Sequence, residues 1–452
     1  MTTTLEGAVG RVLDSRTAVR SLVAAGLDAA DPRAATARHL RLDGHVLTVG
    51  GRRLDLARCD RVLVVGAGKA TARLVAGIED VLGDAVTDGL VVLRPADAHV
   101  GLRRVRTVVA DHPVPSGASE TAARALLALA ATVGRRDLVL GAFTGGSSAL
   151  VSAPPPGVTA AAKQHLHRLL LASGARIQDV NAVRKSVSAI KGGRLLAAGA
   201  AATWVNLTVS DVVGDDPAYL TDPTYPDPDG PAVARHVLDR LGLWDAVDPS
   251  VRRHLAAAPE PPDLSATDLT TVTVTSGEDA LRAMVRRAHE LGLEPVTLDP
   301  LEGEATQVGA RLATAAADHA RAAAASGRPV VLLAAGGETT VSLGGVTMTA
   351  GTGGPNQEAA LAFARALPVG ADVVAAFVDS DGFDGPTEHA GALVDAGTVD
   401  RASQGGHDVD AALADHASTA VLRTAGDLLT TGATGTNVND LVVVVCGAGS
   451  LA

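Results

Sequence analysis

RVLVVGAGKAT, residues 61–71, is the stretch that decides the fold. Its first half is a β-branched apolar run suited to a strand buried on both faces, and its second half is a glycine turn. An amphipathic pattern follows to about Val81, so strand, turn and helix open a βαβ unit. Strand-like runs recur at 90–93, 105–110, 138–143 and 204–209, with helical patterns between them at 118–133, 159–173 and 186–202. This alternation predicts an α/β, Rossmann-like, doubly wound domain with a mostly parallel sheet, whose ligands sit at the carboxyl ends of its strands.

Outward from that unit, residues 5–27 carry apolar residues at helical spacing, and 47–54 read as a hairpin. The composition shifts at YLTDPTYPDPD, 219–229, and at APEPPD, 258–263. A domain boundary is expected between them, giving a first domain over 1–245 and a second α/β domain over 265–452. The second half opens on TTVTVT, 270–275, continues with helices near 279–291 and 305–325, and has strands at 330–335, 342–349, 373–378 and 441–446.

Composition excludes several classes. With 452 residues, 47% of them hydrophobic, the chain can bury large cores, but at 2% aromatic those cores must be Ala, Val and Leu. No row of aromatics exists on which bases could stack, and a net charge of −11 argues against a phosphate-backbone partner. Cys59 and Cys446 are far apart, so neither a disulfide framework nor a CxxC knuckle is expected. MTTTLEGAVGRVLDSRTAVR at the start lacks an apolar core, and nowhere is there an apolar run of about 18 residues. These features predict a cytoplasmic protein with no membrane or nucleic-acid partner.

Lysine is sparse. Only Lys69, Lys163, Lys185 and Lys191 occur, in a chain otherwise supplied with arginine. Two of them sit with Arg184 in NAVRKSVSAIKGGRLLAAG, 181–199, ahead of the apolar run and aspartates of WVNLTVSDVVGDD, 204–216. Cations followed by Asp211, Asp215 and Asp216 suit phosphoryl transfer, where fixed positive charge steadies the moving oxygens and carboxylates hold a metal or orient the attacking hydroxyl.

GAGKAT fails as a dinucleotide fingerprint, because Thr71 stands at the third small position. It fails as a P-loop too, with Leu63 at the first glycine and Ala70 where a hydroxyl belongs. What survives is an anion site built from turn amides at Gly68 with Lys69 beside them. FTGGSSAL, 143–150, adds amide and hydroxyl donors at Gly145, Gly146, Ser147 and Ser148. In DHPVPSGASE, 111–120, capping explains the serines and His112 reads as structural. The second half offers four polar strand-end loops: Glu338 in AAGGETTVSL, Asn356 in GTGGPNQEAALAFA, the aspartates 379, 381 and 384 in DSDGFDGPTEHAGA, and Asn437, Asn439 and Asp440 in TGATGTNVNDL. The aspartate loop lacks EF-hand spacing.

VGAGKAT, DHPVPSGASE, FTGGSSAL, NAVRKSVSAIKGGRL, LTVSDVVGDDP, GGETTVS, GGPNQEAAL, DGFDGPTEHAGA and TTGATGTNVNDL, in that order, resemble the glycerate 2-kinases that carry a C-terminal MOFRL domain. The resemblance implies ATP-dependent phosphorylation of the 2-hydroxyl of D-glycerate to 2-phosphoglycerate with Mg2+; the sequence leaves monomer and homodimer both open. It also implies a Rossmann-like first domain, a MOFRL second domain and an active site in the cleft between them. The family's essential lysine falls on Lys69 and its motif aspartate on Asp211. Either Asp211 or Asp381 would orient or deprotonate the 2-hydroxyl. Gly68, Gly145, Gly146, Ser147, Ser148, Arg184, Lys185, Lys191, Asn356, Asn437 and Asn439 would bind substrate or phosphate, and Asp215, Asp216, Glu338 and Asp384 would face the metal. The family usually has arginine where this chain has Pro355, and an SGPT turn where it has Thr221, Asp222, Pro223 and Thr224. A related hydroxy or sugar acid as substrate, an NAD(P)-dependent hydroxypyruvate reductase and a non-catalytic sugar-acid sensor are the alternative readings; Thr71 speaks against the reductase.

Overall fold

A computed structural model describes residues 14–210, 223–257, 260–342 and 353–447, which form two units. One takes its described residues from Asp31–Thr275 and Gly435–Asn437, the other from Met1–Ala30, Ser276–Thr434 and Val438–Ala452.

The first unit is built on six strands, β1 (Arg61–Ala67), β2 (Asp88–Leu93), β3 (Arg106–Val109), β4 (Asp137–Phe143), β5 (Thr203–Val209) and β6 (Leu269–Thr275). Their order is β3-β2-β1-β4-β5-β6 and every neighbouring pair is parallel. This is the Rossmann strand order, and its direction reverses between β1 and β4. β1 and β4 are buried along almost their whole length, as central parallel strands covered on both faces must be, which is why they read as unbroken apolar runs. Trp204 fills the core behind β5 and satisfies its indole N–H on the Gly199 carbonyl at 2.8 Å. The expected hairpin forms as Val46–Val49 and Arg52–Asp55 within a separate three-stranded antiparallel sheet.

Two expectations change. TTVTVT does not open the second domain; it is β6, the edge strand paired with β5, and its alternating exposure fits an edge. The helix expected over 186–202 is instead Ile177–Ser186 and Arg194–Ala198. Between them Ser188 Oγ accepts the amides of Ile190 and Lys191, a side-chain turn that competes with helix, and the chain reverses at Gly192 and Gly193 with φ of 62° and 75°.

The second unit carries β7 (Glu294–Thr297), β8 (Val330–Gly337), β9 (Val373–Asp379), β10 (Gly391–Asp395), β11 (Leu428–Leu429) and β12 (Asp440–Cys446). The sheet runs β7-β8-β12-β9-β10-β11, and only β7 and β8 are parallel. Of the strand expected over 342–349, residues 343–349 lie outside the described residues. With few aromatics, the core closes by near approach of small residues: the helices Ala305–Ser326 and Pro355–Ala366 meet where a Cβ on Gly309 would stand 2.2 Å from the Ala359 carbonyl oxygen. Phe363 and Phe377 pack edge to face at 5.6 Å.

The helix Ser15–Ala29 belongs to this second unit and not to the first, against the expected 1–245 domain. Its buried face of Ala18, Val19, Leu22, Val23 and Gly26 lies against that unit, with Gly26 close to Leu441 and Met284. Arg16 fixes the register through Asp395, the Leu393 carbonyl at 2.9 Å and the buried Asp427 at 2.7 Å. Leu22 is completely buried. Leu22→Ala is therefore expected to cost about 3 kcal/mol, read as a lowered midpoint in urea unfolding.

Candidate functional site

The carboxyl ends of β1 and β4 flank the reversal of strand order, where doubly wound sheets bind ligands. Their two turns are stitched together: Thr144 N–H donates to the Ala67 carbonyl at 3.0 Å, Lys69 N–H to the Gly145 carbonyl at 2.8 Å, and Ala70 N–H to Thr144 Oγ1 at 3.1 Å. The Thr71 hydroxyl donates to the Ala142 carbonyl at 2.9 Å. The amides of Gly68 and Thr71 are also taken, by the carbonyls of Val92 and Gly68. The free amides expected around Gly68 are thus absent, because the neighbouring strand uses them. The amides of Gly145 and Gly146 take no acceptor among the described residues, and the Lys69 side chain lies beside them. Gly146 has φ 85°, and a Cβ there would stand 3.1 Å from both Lys69 Cγ and His112 Nε2. Lys69, His112 and the two glycine amides are therefore neighbours.

Behind this turn lies a buried group of cations. Arg184 donates to Ser148 Oγ through Nη2, while its buried Nε has no hydrogen-bond partner. Lys191 Nζ donates to the carbonyls of Ser148 and Val151, and Lys163 Nζ to that of Ala153 at 3.0 Å. Burial, helped by the Arg184 charge, pushes Lys163 down to about 7 and the nearby His167 down to about 3, so that imidazole is neutral. All of these protein contacts are to neutral oxygens. Burying positive charge away from water is costly, and an incoming anion would offset that cost. Lys185, expected in the same role, instead meets Asp227 at 3.2 Å and Asp229 at 2.9 Å.

In the second unit, carboxylates converge on one end of the mixed sheet. Asp379 at the end of β9 pairs in register with Asp440 at the start of β12, which also pairs with Gly337, and the exposed Glu338 follows. Asp384 is buried and caps the helix Pro355–Ala366, accepting the amides of Asn356 at 2.9 Å and Gln357 at 2.8 Å. Asn356 Nδ2 bridges Asp384 at 3.4 Å and Asp440 at 2.7 Å. Thr339 N–H completes Asp440 at 3.1 Å. Burial raises Asp384 to about 6 and Asp440 to about 7, outweighing these hydrogen bonds. Asp381 is fully buried and accepts the Phe383 amide at 2.8 Å. Asn439 sits at φ 61° with its amide toward the Gly336 carbonyl at 3.3 Å, whereas the buried Asn437 counts with the first unit.

The structure thus brings Lys69, Gly145, Gly146, Ser147, Ser148, Arg184 and Lys191 together, and separately Glu338, Asn356, Asp381 and Asp384. Asp211, Asp215 and Asp216 lie outside the described residues. Among the described residues no group of three or more His, Cys, Asp or Glu is placed to hold a metal ion. Three further residues lie at these groups without being among the expected site residues: Asp440, His112 and Lys163. Asp440 was read only as part of a polar loop and His112 as structural. Lys163 could have been found from the scarcity of lysine, which already singled it out.

Residues 18–256 match the family model described as a domain of unknown function, DUF4147, and residues 331–440 match the MOFRL family. The glycerate 2-kinase of Pyrococcus horikoshii is 34% identical over 440 residues, covering 96% of this chain and 98% of that protein. An Agrobacterium vitis protein provisionally named hydroxypyruvate reductase is 39% identical over 392 residues, covering 86% of this chain and 87% of its own. The crystal structure of a Thermotoga maritima glycerate kinase superposes with a TM-score of 0.79 at 29% identity, over 95% of this chain and 99% of that one. No helix among the described residues is long and apolar enough to cross a membrane.

The raised carboxyls set a pH dependence. Between the unfolded value of 3.8 and about 7, the folded state holds protons on Asp384 and Asp440 that the unfolded chain releases, so these two groups lower stability as pH rises. Asp440→Asn carries a fixed cost from turning an NH2 toward a donor, but no titrating group. The melting-temperature difference, variant minus wild type, is expected to move in the variant's favour from about pH 4 to about pH 7, measured by thermal unfolding across that range.

Proposed function

The chain belongs to the glycerate 2-kinase family, and from that premise we infer that it transfers the γ-phosphoryl group of ATP to the 2-hydroxyl of D-glycerate, giving 2-phosphoglycerate and ADP. The observation that carries the reading is the cation-rich turn at the reversal point of the parallel sheet, with Lys69 beside the unpaired amides of Gly145 and Gly146. In the transfer the 2-hydroxyl oxygen forms a bond to the γ-phosphorus as the bond to the β–γ bridging oxygen breaks, and the hydroxyl proton passes to a carboxylate. Lys69 follows the charge on the moving oxygens, the glycine amides orient them, and Arg184 and Lys191 supply a fixed positive field in a water-poor setting. Asp211 and Asp381 are the two proposed proton acceptors.

Magnesium is expected to accompany ATP. The described residues alone build no site for it, since Asp384 has both oxygens on backbone amides and Asp440 on Asn356 and Thr339. A nucleotide-borne magnesium ion needs only one or two protein carboxylates, and Glu338, Asp215 and Asp216 remain the proposed donors.

Pro355 is the first residue of its helix, where a missing N–H costs nothing, but it offers no donor to a substrate carboxylate. That grip is proposed to fall to Arg184. The reductase reading draws on the Agrobacterium vitis relative, but a dinucleotide turn needs free amides for the pyrophosphate and those at 68–71 are internally bonded.

ADP release from magnesium ATP should require D-glycerate, with 2-phosphoglycerate identified as product; D-glycerate-independent release, or none, would overturn the assignment. Lys69→Ala is expected to lower kcat by about a hundredfold or more in the same assay. Pro355→Arg, which restores a bidentate donor at a helix start, is expected to lower the KM for D-glycerate by about tenfold. Nicotinamide absorbance should stay unchanged when hydroxypyruvate is added.

A further inference from the structure

A cavity of about 730 Å³ opens in the first unit, and none of its lining residues belongs to the β1 or β4 turn. Its size is that of a small-molecule pocket. Pro155, Pro156 and Ala189 give it apolar wall, and Arg194, Arg253 and His254 line it together with the hydroxyl-bearing Ser188 and Ser250. No Asp or Glu is among the lining residues. Among the described residues the hydrogen bonds of Arg194 use Nη1, to the carbonyls of Lys185 and Lys191, and none uses Nη2 or Nε. Arg253 is exposed and forms no ion pair among the described residues.

We propose that this pocket is a second anion site, separate from the one that carries the reaction, and that it takes a phosphate dianion borne by a small molecule. Asp227 and Asp248 lie close enough to act on Arg194 and Arg253, and His254 Nε2 meets the Ser186 carbonyl at 3.0 Å, yet no carboxylate lines the space itself, and two guanidinium groups around it match a doubly charged oxyanion better than a single carboxylate. The apolar wall accommodates the remainder of a small phosphomonoester. The site is coupled to the first one through the backbone. Ser188 and Ala189 belong to the turn that ends in Lys191, whose ammonium holds the carbonyls of Ser148 and Val151. An anion drawn onto Arg194 and Ser188 therefore acts on the segment that presents Ser148 to the reaction site.

The test is isothermal titration calorimetry of the full chain with inorganic phosphate, comparing wild type, Lys69→Ala, Arg253→Ala and Arg253→Glu. Lys69→Ala should retain a phosphate-binding event that Arg253→Glu weakens at least tenfold and Arg253→Ala weakens less. Arg253 is exposed, so both of its variants should melt like wild type and keep glycerate-dependent turnover within about twofold, while losing the response of that turnover to added phosphate. Wild type that binds no phosphate, Arg253→Glu that binds it unchanged, or Lys69→Ala that loses all binding would each overturn the proposal. The titration needs no turnover, so a chain that fails to phosphorylate glycerate yet binds phosphate through Arg253 would sink the kinase assignment and leave the pocket standing.

Discussion

The stitching of the β1 turn to the β4 turn is the constraint from which the reaction site follows. Once Lys69 N–H is committed to the Gly145 carbonyl and Ala70 N–H to Thr144, the first turn cannot present a row of amides to a phosphate. A nucleotide-binding loop of the usual kind is thereby closed off at this sheet position. What the stitching leaves is a lysine side chain on one turn and two glycine amides on the other, held at fixed separation by strands buried on both faces. Positioning of this kind is most of what phosphoryl transfer asks of a protein.

The same economy governs the buried charges. Lysine in this chain is kept for interior posts: Lys163 and Lys191 tie down carbonyls of one loop, and Lys185 neutralises two aspartates. Arginine, always charged, populates the surface bridges. In the second unit the pattern inverts. Two buried carboxyls are bridged by the Asn356 side chain and capped by backbone amides, and burial lifts them toward neutrality all the same.

Central strands were legible because burial on both faces leaves a continuous β-branched run, and glycine turns after them mark the ligand side of the sheet. Edges were not. β6 alternates and follows a Pro- and Asp-rich stretch, so it reads as a new beginning although it completes the first sheet. The break between Ser186 and Arg194 hides in a window whose apolar spacing is helical, because a serine side chain and two left-handed glycines decide it locally. Residue type showed where charge would gather but not whom it would face. Asp384 looks the same in sequence whether it caps a helix or faces a metal, and Lys185 the same whether it meets a substrate or Asp227. Partner identity is a tertiary property, set by which loops each sheet brings together within its own unit.

The placement of the helix Ser15–Ala29 bears on how the molecule is made. Its apolar face, with Leu22 at the centre, is covered by elements that begin only at Ser276, so the second unit is discontinuous and encloses the first in sequence. On a ribosome adding about 5–20 residues per second, that face emerges well ahead of its cover and waits tens of seconds for it. Meanwhile the parallel sheet can close around β1 without it. A segment synthesised ahead of the whole first sheet is thus buried only after it, which makes this helix a natural point of contact for holding chaperones and a place where a slowed ribosome would expose the chain to misassembly.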